Sequence, residues 1–250
     1  MPAAEATIPV TDEGLIRGDG AFEVIRVYDG HPYAIEEHMA RLQRSAHNLR
    51  LDLDLEAVRA SAHRLLAHAG TGPDHQLLRV MITRGGRQIL LTEQMPSTPD
   101  RARLKSITYF PTRILDGVKS LSYAANMLAS RLAREQGFDD ALLVTPHARV
   151  LEAPTSSIFW VKDGQLLTPP LDEHILASIT RALVIDVAGG EEQVCTLPEL
   201  IAADEVFLAS TVREVQPVAA LDDHEFTGPT PVAERTAAGV AERIRSELRS

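Results

Sequence analysis

The sequence predicts an α+β protein of two domains: a smaller N-terminal α/β domain over residues 1–112, a connector over 113–118, and a larger strand-rich domain over 119–250. Three observations predict it. Apolar residues recur at helical spacing in two stretches of the first seventy residues. Short β-branched and aromatic runs bounded by glycine and proline dominate after residue 140. The stretch 111–118 follows neither period. A chain of 250 residues can bury one large core or two smaller ones.

In the first domain, Gly14-Leu-Ile-Arg-Gly-Asp-Gly20 sets three glycines around one acid and predicts a tight turn. Phe22-Glu-Val-Ile-Arg-Val-Tyr28 reads as a strand that turns back through Asp29-Gly30, with Phe22, Val24, Arg26 and Tyr28 on one face. An arginine on such a face is a solvated edge charge or the lining of a carboxylate pocket. Residues 36–49 read as a helix with Met39, Leu42, Ala46 and Leu49 as its apolar stripe, and His38, Arg41 and Ser45 run beside that stripe. Taken alone, Arg41 reads as a surface arginine that is also able to reach over the seam. A second amphipathic helix covers 56–69. Strands at 77–83 and 104–110 flank Arg84-Gly-Gly-Arg87, which reads as a solvated turn or as a loop able to hold an anion.

In the second domain, a helix is expected directly after Lys119, with Leu121, Ala125, Leu128 and Leu132 inward and Gly137 as its stop. Short strands follow at 141–145, 150–152 and 157–161, and a hairpin through Asp163-Gly164 reaches 166–168 before Pro169-Pro170. Ser178-Ile-Thr-Arg181 opens an apolar helix that runs to residue 188. Strands at 205–209 and 214–218 precede a closing helix with Val232, Thr236, Val240, Ile244 and Leu248 at intervals of four.

Composition narrows the function. A net charge of −10 argues against a nucleic-acid or anionic-membrane surface. The single Cys195 allows no internal disulfide and no thiolate metal cluster, which fits a reducing, cytoplasmic compartment. There is no signal-peptide pattern and no run of about 18 apolar residues. The histidines form no zinc-binding His-x-x-x-His pair around a glutamate, so no metal site is expected. A Gly-x-Ser-x-Gly elbow, a dinucleotide fingerprint and a Walker loop are all missing.

What remains is a set of dissimilar residues. Lysine occurs only at 105, 119 and 162, against a large excess of arginine. A reaction that needs an amine able to shed its proton cannot use arginine. Lys162 lies in a hairpin turn and Lys105 in a surface-like strand, so Lys119 is the odd one. Glu152 leaves an apolar strand into a turn, where burial would require a partner. Ser178 and Thr180 stand at a helix start, where hydroxyls and free amides hold phosphate. An amine, an acid and a phosphate cup are what pyridoxal 5'-phosphate requires, although capped helices and strand-end acids are also common without it.

Seven pieces, in order and spread over nearly the whole chain, carry a resemblance: Arg17-Gly-Asp-Gly-Ala-Phe-Glu-Val-Ile-Arg26, His38-Met-Ala-Arg-Leu42, Lys119-Ser-Leu-Ser-Tyr123, Val150-Leu-Glu-Ala-Pro-Thr-Ser-Ser157, Thr168-Pro-Pro170, Ile175-Leu-Ala-Ser-Ile-Thr-Arg181 and Ala203-Asp-Glu-Val-Phe207. Together they resemble the class IV, fold-type IV pyridoxal-phosphate family of D-amino-acid and branched-chain aminotransferases, (R)-amine transaminases and aminodeoxychorismate lyases. The resemblance implies a strand-rich pseudo-barrel for the larger domain and a homodimer. It implies Lys119 as the Schiff-base lysine, Arg41 as an arginine reaching the phosphate, and Glu152 as the pyridinium partner. Ser178, Ile179 and Thr180 correspond to the phosphate cup, with Ser210 and Thr211 beside it and Tyr123 near the cofactor. In the implied reaction the lysine moves a proton between the substrate α-carbon and the cofactor.

The resemblance implies a transaminase for a D-amino acid, extending to (R)-amines, with a 2-keto acid as acceptor. The alternatives are aminodeoxychorismate lyase, which releases 4-aminobenzoate and pyruvate, and a branched-chain L-amino-acid aminotransferase. A protein that keeps the fold and only binds a phosphate ligand is a further reading, disfavoured by Lys119 and Glu152 occurring together. The segment Ala209-Ser-Thr-Val-Arg-Glu-Val-Gln-Pro-Val218 is closer to transaminases than to the lyases. Two departures bear on the substrate: Phe22 stands where D-amino-acid aminotransferases usually have Tyr, and their carboxylate-binding Arg-x-His is missing, since Gln88 and Ile89 follow Arg87. Arg26, Arg87 or both are therefore expected to receive the substrate carboxylate, with Phe22 also lining the substrate site.

Overall fold

The computed structural model describes residues 5–73 and 76–249. The chain divides into two compact units. Unit 1 comprises Met1–Pro96 and Gly117–Tyr123, and unit 2 comprises Ser97–Asp116 and Ala124–Ser250.

Unit 1 contains α1 (Glu13–Arg17), β1 (Gly20–Tyr28), β2 (His31–Pro32), α2 (Ile35–Leu49), α3 (Leu55–Ala69), β3 (Leu77–Thr83) and β4 (Gln88–Glu93). The strands form one antiparallel sheet in the order β2-β1-β3-β4. Period-two alternation sends Ala21, Ile25 and Val27 of β1, with Leu78, Val80 and Ile82 of β3, into a core shared with Met39, Leu42 and Ala46 of α2 and Val58, Ala62 and Leu66 of α3. The apolar stripe expected for 36–49 is the one observed. Asp54 caps α3 by accepting the Ala57 amide at 2.9 Å. The segment 117–123 belongs to this unit because it pairs with the start of β1. Phe22 N donates to Lys119 O at 3.0 Å and Leu121 N to Gly20 O at 2.8 Å, framing an Ala21–Ser120 bridge.

Unit 2 contains β5 (Ala102–Thr108), α4 (Ala124–Glu135), β6 (Asp140–Val144), β7 (Ser157–Lys162), β8 (Gln165–Thr168), α5 (Ile179–Ala188), β9 (Glu191–Glu192), α6 (Leu197–Ile201), β10 (Glu205–Ser210), β11 (Glu214–Leu221), β12 (His224–Glu225) and α7 (Pro231–Glu247). Its eight-stranded mixed sheet runs β6-β5-β11-β10-β7-β8-β9, with β12 on β11. Leu104, Leu142, Ile158, Trp160, Val206, Leu208 and Val218 fill one core, and Ala129, Ala133, Ala141, Leu143, Leu151 and Ile175 fill another. The buried Glu205 carboxylate accepts the amides of Val232 and Ala233 at 3.0 and 2.9 Å, satisfying orphan donors at the start of α7.

The sequence expectations and this arrangement differ at the division, at α4 and at β4. The division near 112 moves, because β5 takes its hydrogen bonds from β6 and β11 and so lies in unit 2, while Lys119 lies in unit 1. The helix expected after Lys119 starts only at Ala124, so Lys119 sits in an extended stretch rather than at a helix mouth. Its buried face is Ala129, Ser130 and Ala133, with Leu128 and Leu132 exposed. Small side chains let α4 lie close on Ala141 and Leu143, which turns the leucines outward. Strand β4 was not foreseen at all.

Gly20 shows how tightly the 117–123 stretch fits. A Cβ there would lie 2.3 Å from Ile82 O and 2.5 Å from Leu121 Cδ1, and the first of these is backbone that cannot swing aside. Gly20→Ala is therefore expected to cost about 1–3 kcal/mol in urea denaturation. It is also expected to speed hydrogen exchange at the Leu121 amide, which an overpacked site elsewhere would leave slow.

Candidate functional site

In unit 1 the Lys119 backbone is held from both sides. Its amide donates to Ser45 Oγ of α2 at 3.1 Å and its carbonyl accepts from Phe22 of β1. Its Nζ lies 4.4 Å from the Phe22 ring centre and 5.7 Å from that of Tyr123. Those rings meet edge to face at 5.3 Å, so two expected site residues form an aromatic cradle for a third.

Arg41 is not at the surface. It is buried on α2, and its Nε and Nη2 each donate at 2.7 Å to the Glu23 carboxylate, while His38 Nδ1 meets the same carboxylate at 2.8 Å. Burial alone would raise the Glu23 acid. The Arg41 hydrogen bonds and charge, with His38 behind them, outweigh burial and bring it from 4.5 to about 2. Burial pushes His38 down, and the Arg41 and Lys119 charges push the same way against the Glu23 contact. His38 is thus neutral near pH 7, with Nδ1–H donating to Glu23. Sequence reading missed Glu23. Its signal was an acid in the otherwise apolar row Ala21, Ile25, Val27 of one strand face.

The expected carboxylate receivers are placed differently from one another. The Arg26 guanidinium lies over the Tyr28 ring at 4.8 Å, on the β1 face that also carries Phe22. Arg87 is half exposed, with Nε 4.0 Å from the Asp12 carboxylate. Its loop companion Arg84 is engaged by Asp19 at 2.6 Å and by the Leu49 and Arg50 carbonyls, so Arg87 is the more exposed arginine of that turn. A third arginine, Arg79 of β3, was also missed. It pairs side-on with Glu93 at 2.8 Å and lies 5.9 Å from the Phe22 ring. Its position opposite Val24 puts it on the Phe22 face, a placement that needs the β1–β3 register.

In unit 2 the acid and the cup are brought together. Glu152 is half-buried, and its Oε1 accepts the Leu176 amide at 3.3 Å, two residues before the Ser178 cap of α5. Burial first and the Glu152 charge second push the Tyr109 phenol up. Ser178 Oγ accepts the Arg181 amide at 3.2 Å. Ile179 and Thr180 form the first turn, where amides have no intrahelical acceptor. Ser210 ends β10 and accepts the Arg213 amide at 3.2 Å, with Thr211 next in the turn. Opposite Ala209 of that strand lies Ser157. Among the described residues the Ser156 and Ser157 hydroxyls are buried without a hydrogen-bond partner, as at a place where a polar ligand or a water completes the bonding. These residues suit a phosphorylated pyridine ring: hydroxyls and a helix start for the phosphate, a carboxylate for a protonated ring nitrogen. Among the described residues no group of three or more His, Cys, Asp or Glu could hold a metal, and no helix is long and apolar enough to cross a membrane.

Comparison with known proteins is consistent along the chain. The family described as amino-transferase class IV matches residues 20–221. A Methanocaldococcus jannaschii protein provisionally named a branched-chain-amino-acid aminotransferase is 34% identical over 241 residues, covering 87% of this chain and 84% of that one. A D-alanine aminotransferase of Listeria innocua is 33% identical over 244 residues, covering 87% and 83%. The solved structure of a fold IV-transaminase from Curtobacterium pusillum superposes with a TM-score of 0.86 at 32% identity, covering 100% of this chain and 92% of that one.

The buried triad makes a pH prediction. Glu23 is an acid with a depressed folded value, so its stabilisation is complete above about 4.5 and is lost as pH falls toward about 2. His38 is depressed below 6.5, so the unfolded chain takes up that proton first and stability begins to fall below pH 6.5. Urea midpoints measured from pH 8 to 3 should decline in both windows. His38→Asn should flatten only the upper one, and an unchanged slope there would remove His38 from the account.

Proposed function

The chain belongs to the class IV aminotransferases, and on that premise we propose that its amino donor is a small D-amino acid, extending to (R)-amines, with a 2-keto acid as acceptor. Class IV aminotransferases use pyridoxal phosphate, which supplies the electron sink that makes a substrate α-hydrogen removable. The observation that carries the assignment is Lys119: backbone pinned between Ser45 and Phe22, amine laid over Phe22 and Tyr123. In this reading the Lys119 amine takes the α-proton of the bound substrate and returns it one carbon away, as general base and then acid. Glu152 holds the proton of the pyridine nitrogen. Arg41, Ser178, Ile179, Thr180, Ser210 and Thr211 bind the phosphate, and Phe22 and Tyr123 limit the swing of the lysine and keep water from it.

The D-alanine aminotransferase relative supports the D-amino acid reading, and the archaeal relative supports a second, a branched-chain L-amino acid donor. A panel of D- and L-alanine, D- and L-leucine and a chiral amine against pyruvate and 2-oxoglutarate separates them. Turnover of L-leucine alone would replace the first reading by the second. Product formed without any keto acid would replace both by a lyase. Arg26→Ala and Arg87→Ala, with Arg79→Ala beside them, locate the carboxylate: loss of a charged hydrogen-bond partner should raise KM by about ten-fold or more. Unchanged kinetics in the Arg26 and Arg87 variants would move the role to Arg79.

We also propose that the chain works as a homodimer in the cytoplasm. Leu128 and Leu132 lie four apart on α4 and are exposed, as are Phe110 and Ile114, which favours association in water. The single Cys195 supports a reducing compartment. Sedimentation should give a dimer, and Leu128→Asp with Leu132→Asp should shift it toward monomer. A wild-type monomer at micromolar concentration contradicts the proposal.

A further inference from the structure

Glu23 is the one acid in β1, fully buried in a row of apolar residues. A carboxylate there is costly to desolvate, and an apolar side chain of similar volume would serve packing as well or better. Its two partners come from one face of α2. His38 and Arg41 stand a turn apart, and Ser45, a turn further on, holds the Lys119 amide. Three buried polar side chains on one helix face thus serve β1 and the Lys119 stretch together. The Glu23 carboxylate grips Arg41 side-on through Nε and Nη2, which fixes the plane of the guanidinium. His38 meets the oxygen that also takes Nη2, so the carboxylate itself is held against rotation.

We infer that Glu23 is a positioning residue for cofactor binding: with His38 behind it, it sets the orientation in which Arg41 meets the phosphate. This rests on the reading of Arg41 as a phosphate ligand. Glu23 and Arg41 together carry no net charge, and His38 is neutral beside them. The contribution is therefore one of direction and of rotamer freedom removed before the anion arrives, rather than of added attraction. The consequence is selective: disturbing Glu23 weakens recognition of the phosphate group and leaves recognition of the rest of the cofactor in place.

The test compares binding of pyridoxal phosphate with binding of pyridoxal, which lacks the phosphate, to the full-length chain resolved of cofactor, read by the visible absorbance of the bound aldehyde. Glu23→Gln and Arg41→Ala are each expected to lose about ten- to hundred-fold in affinity for pyridoxal phosphate, as for loss of a charged hydrogen bond, with affinity for pyridoxal changed less than about two-fold. Glu23→Asp keeps a buried counter-charge for Arg41 should Glu23→Gln fail to fold, and is expected to show the same selective loss because its shorter arm cannot hold the side-on pair. Equal losses for both ligands in the Glu23 variants mean a merely structural role and overturn the inference. A selective loss in Arg41→Ala with none in either Glu23 variant overturns it too, while leaving Arg41 a phosphate ligand. No selective loss in Arg41→Ala removes that reading itself, and the inference with it.

Discussion

A carboxylate with no exposure to water fixes more of unit 1 than any apolar contact does. Apolar packing tolerates small slips, because one methylene serves nearly as well as another, whereas the Glu23 oxygens need donors at about 2.7–2.8 Å in fixed directions. Those donors sit on α2, so α2 can occupy only one rotation and one height against β1. With α2 so placed, Ser45 falls where it meets the Lys119 amide, and β1 itself receives the other side of that residue through Phe22. The position of the lysine backbone is thus a consequence of where a buried acid found its partners.

Three of the acids taken partly or wholly out of water are satisfied in different ways. Glu23 uses a guanidinium and an imidazole and is held near pKa 2. Glu205 uses the two free amides at the start of α7 and serves as that helix's anchor. Glu152 is only half-buried, and its contacts include a long hydrogen bond from the Leu176 amide. Of these, Glu152 is the one that solvent, and hence a cationic group from a ligand, can reach. Glu23, already balanced, could not do that without abandoning Arg41.

Elements stabilised by their own periodicity were legible in the sequence. The stripe Met39, Leu42, Ala46 appears in the core as read, and β1 forms over the run read as a strand. What failed depends on partners distant in sequence. Strand β4 is a half-exposed run, Gln88-Ile-Leu-Leu-Thr-Glu93, without alternation, and only its pairing with β3 makes it a strand. The face of α4 was misjudged because large apolar residues were taken to be the inner ones, while close packing on β6 selected alanine. Lys119, Glu152 and the α5 start stand out in the sequence because a scarce lysine, a costly strand-end acid and a hydroxyl-bearing helix start are unusual residue choices. Glu23 and Arg79 were not, because an acid or an arginine in a strand reads as solvated until the cross-strand and helix neighbours are known.

The same reasoning bears on which arginine can read a substrate. A guanidinium held side-on by a carboxylate offers an anion direction but little net charge, as Arg79 with Glu93 and Arg41 with Glu23 both do. A guanidinium over an aromatic face is oriented by the ring as well, as Arg26 is over Tyr28 at 4.8 Å. Arg87 stands between, 4.0 Å from Asp12 and half exposed, where solvent screens both that contact and any other it makes. Arg26 and Arg79 both stand on the sheet face that carries Phe22, as the β1–β3 register requires. Arg79 lies 5.9 Å from the Phe22 ring with its guanidinium plane set by Glu93, so a carboxylate meeting it in the proposed reaction would be confined to the directions that Glu93 leaves open.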